Sequence, residues 1–189
     1  MSALAPTLEA FFTDRLARQR HASTHTITAY RDAWRLLLGY LQQQTGKAPS
    51  ELDFDDLDAP VIGAFLNHLE SERHNSVRTR NARLAAIHSL FRYAQLRHPE
   101  HAGLIARVLA IPHKRHERAI VAFLTSPEVE ALLAAPDPGT WLGRRDRTLL
   151  LILAQCGLRV GELTALTCAD VVLGAGPHIR CHGKGRKER

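Results

Sequence analysis

Residues 156–166 read Cys156-Gly-Leu-Arg-Val-Gly-Glu-Leu-Thr-Ala-Leu166, and residues 182–189 read His182-Gly-Lys-Gly-Arg-Lys-Glu-Arg189. A helix-breaking glycine precedes Arg159, and Glu162 follows it at the spacing of one helical turn. Lys184 stands between two glycines at the tip of a predicted hairpin. A fixed arginine and a mobile lysine together suit the binding and protonation of a phosphodiester. The same residues would equally fit a structural ion pair and a solvated basic hairpin.

Upstream of this stretch, apolar residues recur at helical spacing and predict an all-helical region as far as residue 112. The stripe in residues 24–44 is the clearest, with Trp34 near its centre and Gly46 after it as a stop signal. Lys47–Asp58 is expected to be a polar loop. The predicted helices are 3–20, 24–44, one starting at Pro60, one from the Ser76 cap to about residue 96, and 102–109.

From residue 113 onward the pattern changes. Residues 113–118 are polar and predicted to be a linker. The elements predicted after it are an extended segment at 119–124, helices from a Thr125–Glu128 capping box to Pro136, at 141–155 and at 160–166, strands at 171–173 and 178–182, and a hairpin around Gly183–Gly185. The fold class is therefore mainly α, with a helical domain at 1–112, the linker, and the first part of an α+β domain at 119–189. No internal repeat is apparent.

The charges suggest a nucleic-acid partner. The 189 residues carry 25 Lys+Arg and 19 Asp+Glu, a net charge of +6. Glu51–Glu72 holds acids and no bases, whereas Arg73–Arg118 is strongly basic. This segregation predicts one acidic and one basic face, the latter suited to phosphates.

Other classes of protein fit less well. The most apolar run, Thr148–Cys156, is too short to span a bilayer, and the N-terminus lacks a signal-peptide pattern. The three cysteines lack disulfide spacing and fit a reducing cytoplasm, which is the expected location.

No cofactor or metal is expected. Lys184 is followed by glycine rather than Ser or Thr, so the glycine-rich end does not fit a nucleotide-binding phosphate loop. His178, Cys181 and His182 lie near Cys168, but there is no C-x-x-C pair, and alternate residues of a strand point to opposite faces. A zinc site is therefore disfavoured, and no hydrolase nucleophile-elbow motif is present.

The sequence resembles the tyrosine site-specific recombinases, which include phage integrases and the Xer-like recombinases. The pattern G-L-R-x-x-E-L-x-x-L matches at 157–166, and G-K-G-x-K-x-R matches at 183–189. Further similar segments surround Tyr30–Trp34, Arg78–Leu84 and Leu124–Glu128, so the resemblance covers nearly the whole chain.

The resemblance implies a SAM-like helical core-binding domain that clamps double-stranded DNA together with a catalytic domain. In this family a tyrosine attacks the scissile phosphate and forms a 3′-phosphotyrosyl link, without metal or nucleotide. Arg159 would match the first catalytic arginine, Lys184 the general acid, and Glu162 the group that orients Arg159. Self-association on paired DNA sites is also implied. The residues placed by the resemblance at the DNA are Thr24, Thr26, Arg31, Arg78, Thr79, Arg80 and Arg83.

The chain departs from the family pattern in one respect. The family's His-x-x-Arg motif and its nucleophilic tyrosine follow the lysine hairpin, whereas the tyrosines here are Tyr30, Tyr40 and Tyr93 in the helical region. Tyr30 and Tyr93 lie on apolar stripes and are predicted to be core residues. We therefore expect this chain to bind DNA without cleaving it. A non-catalytic protein that occupies recombination sites and a helical protein-interaction module are the alternatives.

Overall fold

The computed structural model describes residues 4–115 and 122–181, which fall into two compact units, Met1–Arg118 (unit 1) and Ala119–Arg189 (unit 2). Unit 1 is helical, as predicted. Its elements are α1 (Leu4–Ala10), which continues as a π-helix at Phe11–Gln19, α2 (Thr24–Thr45), a 3₁₀ turn at Phe54–Leu57, α3 (Ala59–Ser71), α4 (Val77–Ala94), a 3₁₀ turn at Pro99–His101, and α5 (Ala102–Leu109). The first predicted helix is present, with α geometry in its first half and π geometry in its second.

Unit 2 combines helices with a short antiparallel strand pair. Its elements are α6 (Ser126–Ala134), α7 (Trp141–Cys156), α8 (Val160–Thr164), a 3₁₀ turn at Cys168–Asp170, β1 (Val171–Val172) and β2 (His178–Ile179). Val171 pairs with Ile179 and Val172 with His178. The mainly helical fold class is therefore confirmed. The hairpin predicted around Gly183–Gly185 lies outside the described residues.

Local sequence signals set several of the helix ends. The Asp58 carboxylate accepts a hydrogen bond of 2.7 Å from the Ala59 amide at the start of α3, directly before Pro60. Gly46 ends α2 with φ +73°, a left-handed conformation that glycine adopts without steric cost. Thr125 and Glu128 form the predicted capping box of α6.

The core of unit 1 is built from aromatic and aliphatic side chains of all its helices. Trp34 of α2, Phe65 of α3 and Phe91 of α4 are each no more than 2% exposed. Phe11 of the π-helical segment is fully buried and packs against Tyr93 at 5.7 Å between ring centroids. Burying each such side chain contributes roughly 1.5–3 kcal/mol, so this core accounts for much of the stability of unit 1.

The segment Lys47–Asp58 contributes to that core, and its prediction as a polar loop is wrong. Leu52, Phe54 and Leu57 are all fully buried. The acids around them satisfy the backbone instead of marking a solvated loop, because Asp56 accepts the Asp53 amide at 2.9 Å. Because these acidic residues lie between the buried ones, the segment looks polar in the sequence.

The acidic and basic segments do not form two separate faces, which corrects the expectation from the charge pattern. Arg107 binds Asp58 with two hydrogen bonds of 3.0 and 2.9 Å. Lys114 Nζ lies 2.6 Å from Glu70. Part of the basic segment is thus paired with the acidic one, and fewer cations are free for a ligand than the sequence count indicates.

Unit 2 covers few of its apolar side chains. Within 122–181, Leu163 and Cys181 are the buried apolar residues, at 6% and 3% exposure. Phe123 and Leu173 are more than 80% exposed, and Trp141 is 65% exposed. Neither the 4–115 range nor the 122–181 range holds a helix that is both long and apolar enough to cross a bilayer.

Candidate nucleic-acid interface and anchored arginine

Two junctions in unit 1 are built alike, one before α2 and one before α4. Each contains a histidine in the left-handed region, His21 at φ +44° and His74 at φ +52°. The residue that follows each histidine donates its amide to a carbonyl six residues back, Ala22 to Leu16 and Asn75 to Leu69, both at 2.9 Å. These bonds close the preceding helix and turn the chain directly into the next one.

The cap of each following helix also repeats. Ser23 Oγ accepts from the Thr26 amide at 3.3 Å, and Ser76 Oγ accepts from the Thr79 amide at 3.2 Å. The predicted cap at Ser76 is confirmed. The shared pattern is His-x-Ser-x-x-Thr at 21–26 and 74–79, a short internal repeat that sequence analysis missed. Two helices therefore begin with exposed hydroxyls and amides, groups that can donate hydrogen bonds to phosphate.

Arg83 ties these two helices together. Its Nη1 donates a hydrogen bond of 3.0 Å to the carbonyl of Ala29 in α2, and its side chain is half-buried. The bond links the second turn of α4 to the second turn of α2, so the two helix starts form one surface. Arg83 thus positions this surface as well as adding charge to it.

The exposed residues of this surface are mostly those that the resemblance indicated. Thr24 and Thr26 lie in the first turn of α2, and Arg31 is exposed one turn later. Arg78 is exposed at the start of α4. Arg35 was missed, although it follows Arg31 by four residues and is exposed on the same helix beside Arg83. We call the set Thr24, Thr26, Arg31, Arg35, Arg78, Thr79 and Arg83 the α2–α4 face.

Arg80 does not belong to the α2–α4 face, and its expected placement at the DNA is corrected. The residue is 5% exposed. Its Nη1 donates to the Pro112 carbonyl at 3.1 Å, and its Nε lies 4.0 Å from Glu70 Oε2. Two residues beyond Arg78 on a helix is a rotation of about 200°, so Arg80 faces the interior when Arg78 faces solvent.

Arg80 and its neighbour hold the chain that leaves α5. Asn81 donates to the Lys114 carbonyl at 2.8 Å and accepts from the Lys114 amide at 3.0 Å. His113 packs edge-on against His88 at 5.7 Å between ring centroids. His113 and Lys114, at the start of the predicted linker, are therefore bound to α4. Residues 116–118 of that predicted linker lie outside the described residues.

In unit 2, the turn between α7 and α8 fixes Arg159. Gly157 closes α7 with φ +59° and donates its amide to the Leu153 carbonyl at 3.1 Å. Glu162 then binds Arg159 twice, through Oε2 to the backbone amide at 2.9 Å and through Oε1 to Nη1 at 2.8 Å. The ion pair expected from the spacing is thus present.

The two partners differ in burial. The Glu162 side chain is 7% exposed and that of Arg159 is 70% exposed. The carboxylate is therefore fixed beneath the turn, while most of the guanidinium faces solvent. Nε and Nη2 make no hydrogen bond to the described residues, and they form a fork that fits the oxygens of a phosphate.

Lys184 and the rest of the second motif, 182–189, lie outside the described residues. The chain that leads to them is held by the strand pair and by Arg180. The Arg180 amide donates to the Asp170 carbonyl at 2.8 Å, and its Nη2 donates to the Ala169 carbonyl at 3.0 Å. These bonds anchor the backbone directly before Cys181.

The three tyrosines all pack within unit 1. Tyr30 stacks on Phe11 with an interplanar angle of 6°, and Tyr93 is 8% exposed. The prediction that these two are core residues is confirmed for Tyr93, whereas Tyr30 is half-buried against the core. Tyr40 lies 5.6 Å from Phe65 between ring centroids. All three rings are used in packing.

The candidate metal ligands lie partly within the described residues. Neither described range brings together three or more His, Cys, Asp or Glu side chains in a geometry that could hold a metal ion. Of the residues considered for zinc, Cys168 is exposed and Cys181 is buried.

Comparison with known proteins gives consistent matches. A model described as "Phage integrase, N-terminal SAM-like domain" matches residues 9–98, and one described as "Phage integrase family" matches residues 122–189. Protein y4rC of Sinorhizobium fredii (strain NGR234), named as an integrase/recombinase, is 56% identical over 188 residues, which is 100% of this chain and 57% of that protein. Tyrosine recombinase XerD of Pseudomonas putida (strain KT2440) is 35% identical over 191 residues, covering 100% of this chain and 60% of that protein.

A crystal structure of XerA recombinase aligns with 98% of this chain and 57% of that chain, at 23% identity and a TM-score of 0.40. The family assignment rests on the sequence matches. The chain spans about 57–60% of the length of the two relatives named above. Because two family models together match residues 9–98 and 122–189, the chain belongs to the phage integrase family of tyrosine recombinases.

Proposed function

We propose that this chain binds duplex DNA through the α2–α4 face in site-specific recombination or integration. The face brings two capped helix starts together through Arg83 and exposes Arg31, Arg35 and Arg78. Helix starts and arginines are the groups that contact phosphates, and a helix fits the major groove. Family membership supports DNA as the partner.

We further propose that Arg159 binds the scissile phosphate. The observation that carries this proposal is the pair of hydrogen bonds that Arg159 donates to buried Glu162, one from its backbone amide and one from its otherwise exposed guanidinium. A guanidinium held in advance stabilises the charge that develops on a non-bridging oxygen without reorganising in the reaction. Glu162 acts as a positioning residue, because it touches Arg159 and not the substrate. Lys184 is assigned as the general acid toward the leaving 5′-oxygen.

In the complete protein, a tyrosine would attack the phosphate and form the 3′-phosphotyrosyl link. Tyr30, Tyr40 and Tyr93 are engaged in packing, so we assign none of them this role. Recombination on paired sites would also need self-association of protomers. The alternative, a non-catalytic protein that occupies such sites, shares the DNA-binding step and differs only in the absence of strand cleavage.

DNA binding is tested with duplexes selected by the purified chain from a random pool. Arg31→Ala and Arg78→Ala should each weaken binding and reduce the slope of log K against log salt by about one, since each removes one phosphate contact. Arg18→Ala is the matched control, because Arg18 is exposed in unit 1 but pairs with Asp14 outside this face. Wild-type affinity and slope in both variants would contradict the DNA-binding proposal.

Strand cleavage by the complete protein separates the enzyme from the alternative. Arg159→Ala should reduce cleavage by about 10²–10³-fold with little change in DNA affinity, because it removes a donor to the developing charge. Glu162→Gln should retain more activity, since the amide oxygen still accepts one hydrogen bond. Absence of denaturant-stable protein–DNA adducts with the wild-type complete protein would favour the non-catalytic alternative.

A further inference from the structure

A second group of arginines lies in unit 1, apart from the α2–α4 face. Arg15 and Arg20, at the end of the π-helical segment, and Arg92 and Arg97, at the end of α4, line one open pocket. All four residues are exposed. Within the described residues none of the four has a carboxylate within 4.0 Å, in contrast to Arg18, which pairs with Asp14 at 3.1 Å. We call this group the four-arginine pocket.

Two of these guanidiniums are held in place by their neighbours. Arg97 lies over the Tyr93 ring at 3.9 Å from its centroid, and its Nη1 donates to the Tyr93 carbonyl at 3.3 Å. Arg15 Nη1 donates to Gln19 Oε1 at 3.0 Å. Each bond uses one donor of a five-donor group, so the remaining N–H groups are available to an anion. Ser89 adds a hydroxyl to the pocket lining.

The pocket is connected to the α2–α4 face along one side of α4. Arg78, Ala82, Ala85, Ser89 and Arg92 follow each other at alternating steps of four and three residues, so they share one side of the helix. Arg78, Ala82 and Arg92 are exposed, and the other two are half-buried. The side therefore carries an arginine at each end and small side chains between them.

This side of α4 is long enough to span a duplex groove. Arg92 follows Arg78 by fourteen residues along the α-helix, a rise of about 21 Å. The major groove of B-DNA is about 12 Å wide, so a helix lying across it reaches the phosphate backbones on both sides. The small residues between the two arginines allow the helix to approach the groove closely.

We propose that the four-arginine pocket binds a backbone phosphate of the duplex on the side of the major groove opposite to the phosphates bound by Arg78. The proposal rests on the proposed DNA-binding function and adds a second anchor to it. The four guanidiniums have no carboxylate partner among the described residues. Their charge exceeds the partial negative charge of the carbonyls at two helix ends. A phosphodiester supplies the acceptors for them.

Ethylation interference on a selected duplex tests this arrangement. With the wild-type chain, ethylated phosphates should interfere in two clusters, one on each side of a major groove. Arg92→Ala and Arg97→Ala should each remove or weaken one cluster, and Arg78→Ala the other. Arg18→Ala, which removes one charge from the π-helical segment outside the pocket, should leave both clusters intact.

The outcomes distinguish the two proposals. If the duplex shows no interference at any phosphate, the proposed DNA binding fails. If interference is present but both clusters survive in Arg92→Ala and Arg97→Ala, the pocket proposal is overturned while DNA binding stands. Thermal unfolding of the same variants identifies a purely structural role, in which the melting temperature falls and both clusters persist; that result also overturns the proposal.

Discussion

Unit 1 and the described part of unit 2 differ in how they cover their apolar side chains. In unit 1, Trp34, Phe54 and Phe91 are at most 2% exposed and pack within one core. In unit 2, α7 carries the run Leu149–Leu153, yet Gly143 is the one residue of that helix that is buried among the described residues. The two units have similar helical signals in the sequence. The difference shows that an apolar helix gains stability only from the partners that cover it.

The same contrast applies to the two arginine sites. Arg83 is supported by a packed unit, since it belongs to α4 and its side chain donates to the Ala29 carbonyl of α2. Arg159 depends on one local turn, the left-handed Gly157 and the carboxylate of Glu162. A surface supported by a packed core and an arginine fixed by a single turn are therefore expected to respond differently to mutation.

The largest expected effect comes from a matched pair of leucine truncations. Leu57→Ala in unit 1 should lower the free energy of unfolding by about 2–5 kcal/mol, because Leu57 is fully buried. Leu142→Ala in unit 2 should change it by about 0.5 kcal/mol or less, because Leu142 is 56% exposed. Urea unfolding followed by far-UV circular dichroism, which reports the helices of both units, measures both. Equal shifts in the two variants would remove the distinction between the units.

A smaller effect is expected from two helix-ending glycines. Gly46 in unit 1 and Gly157 in unit 2 are both left-handed, and a Cβ would meet no atom within 4 Å at either position. Each change to alanine should therefore cost about 1–2 kcal/mol from backbone strain alone. Circular dichroism should show a greater loss of helix for Gly157→Ala, since the described residues of unit 2 provide little packing to oppose it. Equal helix loss in the two variants would contradict this account.

The smallest effect is a pH dependence within unit 1. Burial lowers the pKa of His88 below its ordinary value of 6.5, against the opposing effect of its hydrogen bond to the Val108 carbonyl. The unfolded chain then binds a proton more readily than the fold, so His88 contributes fully to stability above pH 6.5. This contribution is lost as the pH falls from 6.5 toward the lowered pKa. Melting temperatures between pH 8 and 5 should show the decrease, and His88→Asn should reduce it. An unchanged pH profile in that variant would assign the dependence to another group.

Much of the fold follows from local sequence signals. Ser76, the Thr125–Glu128 box and Gly157 each fix a helix end through a bond within a few residues, so they are visible in the sequence. Arg159 and Glu162 are predictable for the same reason, because the ion pair spans one turn. The burial of Leu52 and Phe54 was not predictable, because acidic residues that bind the backbone give the same sequence pattern as a solvated loop.

Features that depend on distant contacts were harder to predict. As one of a series of arginines, Arg80 is expected at the DNA. Its actual partner, the Pro112 carbonyl, lies 32 positions away in the sequence and is not visible from the local pattern. The pairing of Lys114 with Glu70 likewise crosses 44 positions and removes charge from the predicted basic face. Helical rotation alone would have separated Arg80 from Arg78, and the His-x-Ser-x-x-Thr repeat would have identified the two matching junctions.

Hydrogen exchange of the chain, with and without a selected duplex, tests the central claim that the packed unit 1 binds DNA through one face. Free chain should exchange slowly in α3 and α4 and fast in α7, because the core formed by the described residues lies in unit 1. Duplex DNA should slow exchange further in the first turns of α2 and α4, where Thr24 and Arg78 lie, and leave α3 unchanged. Slowing confined to other segments, or none in the presence of bound duplex, would contradict the account.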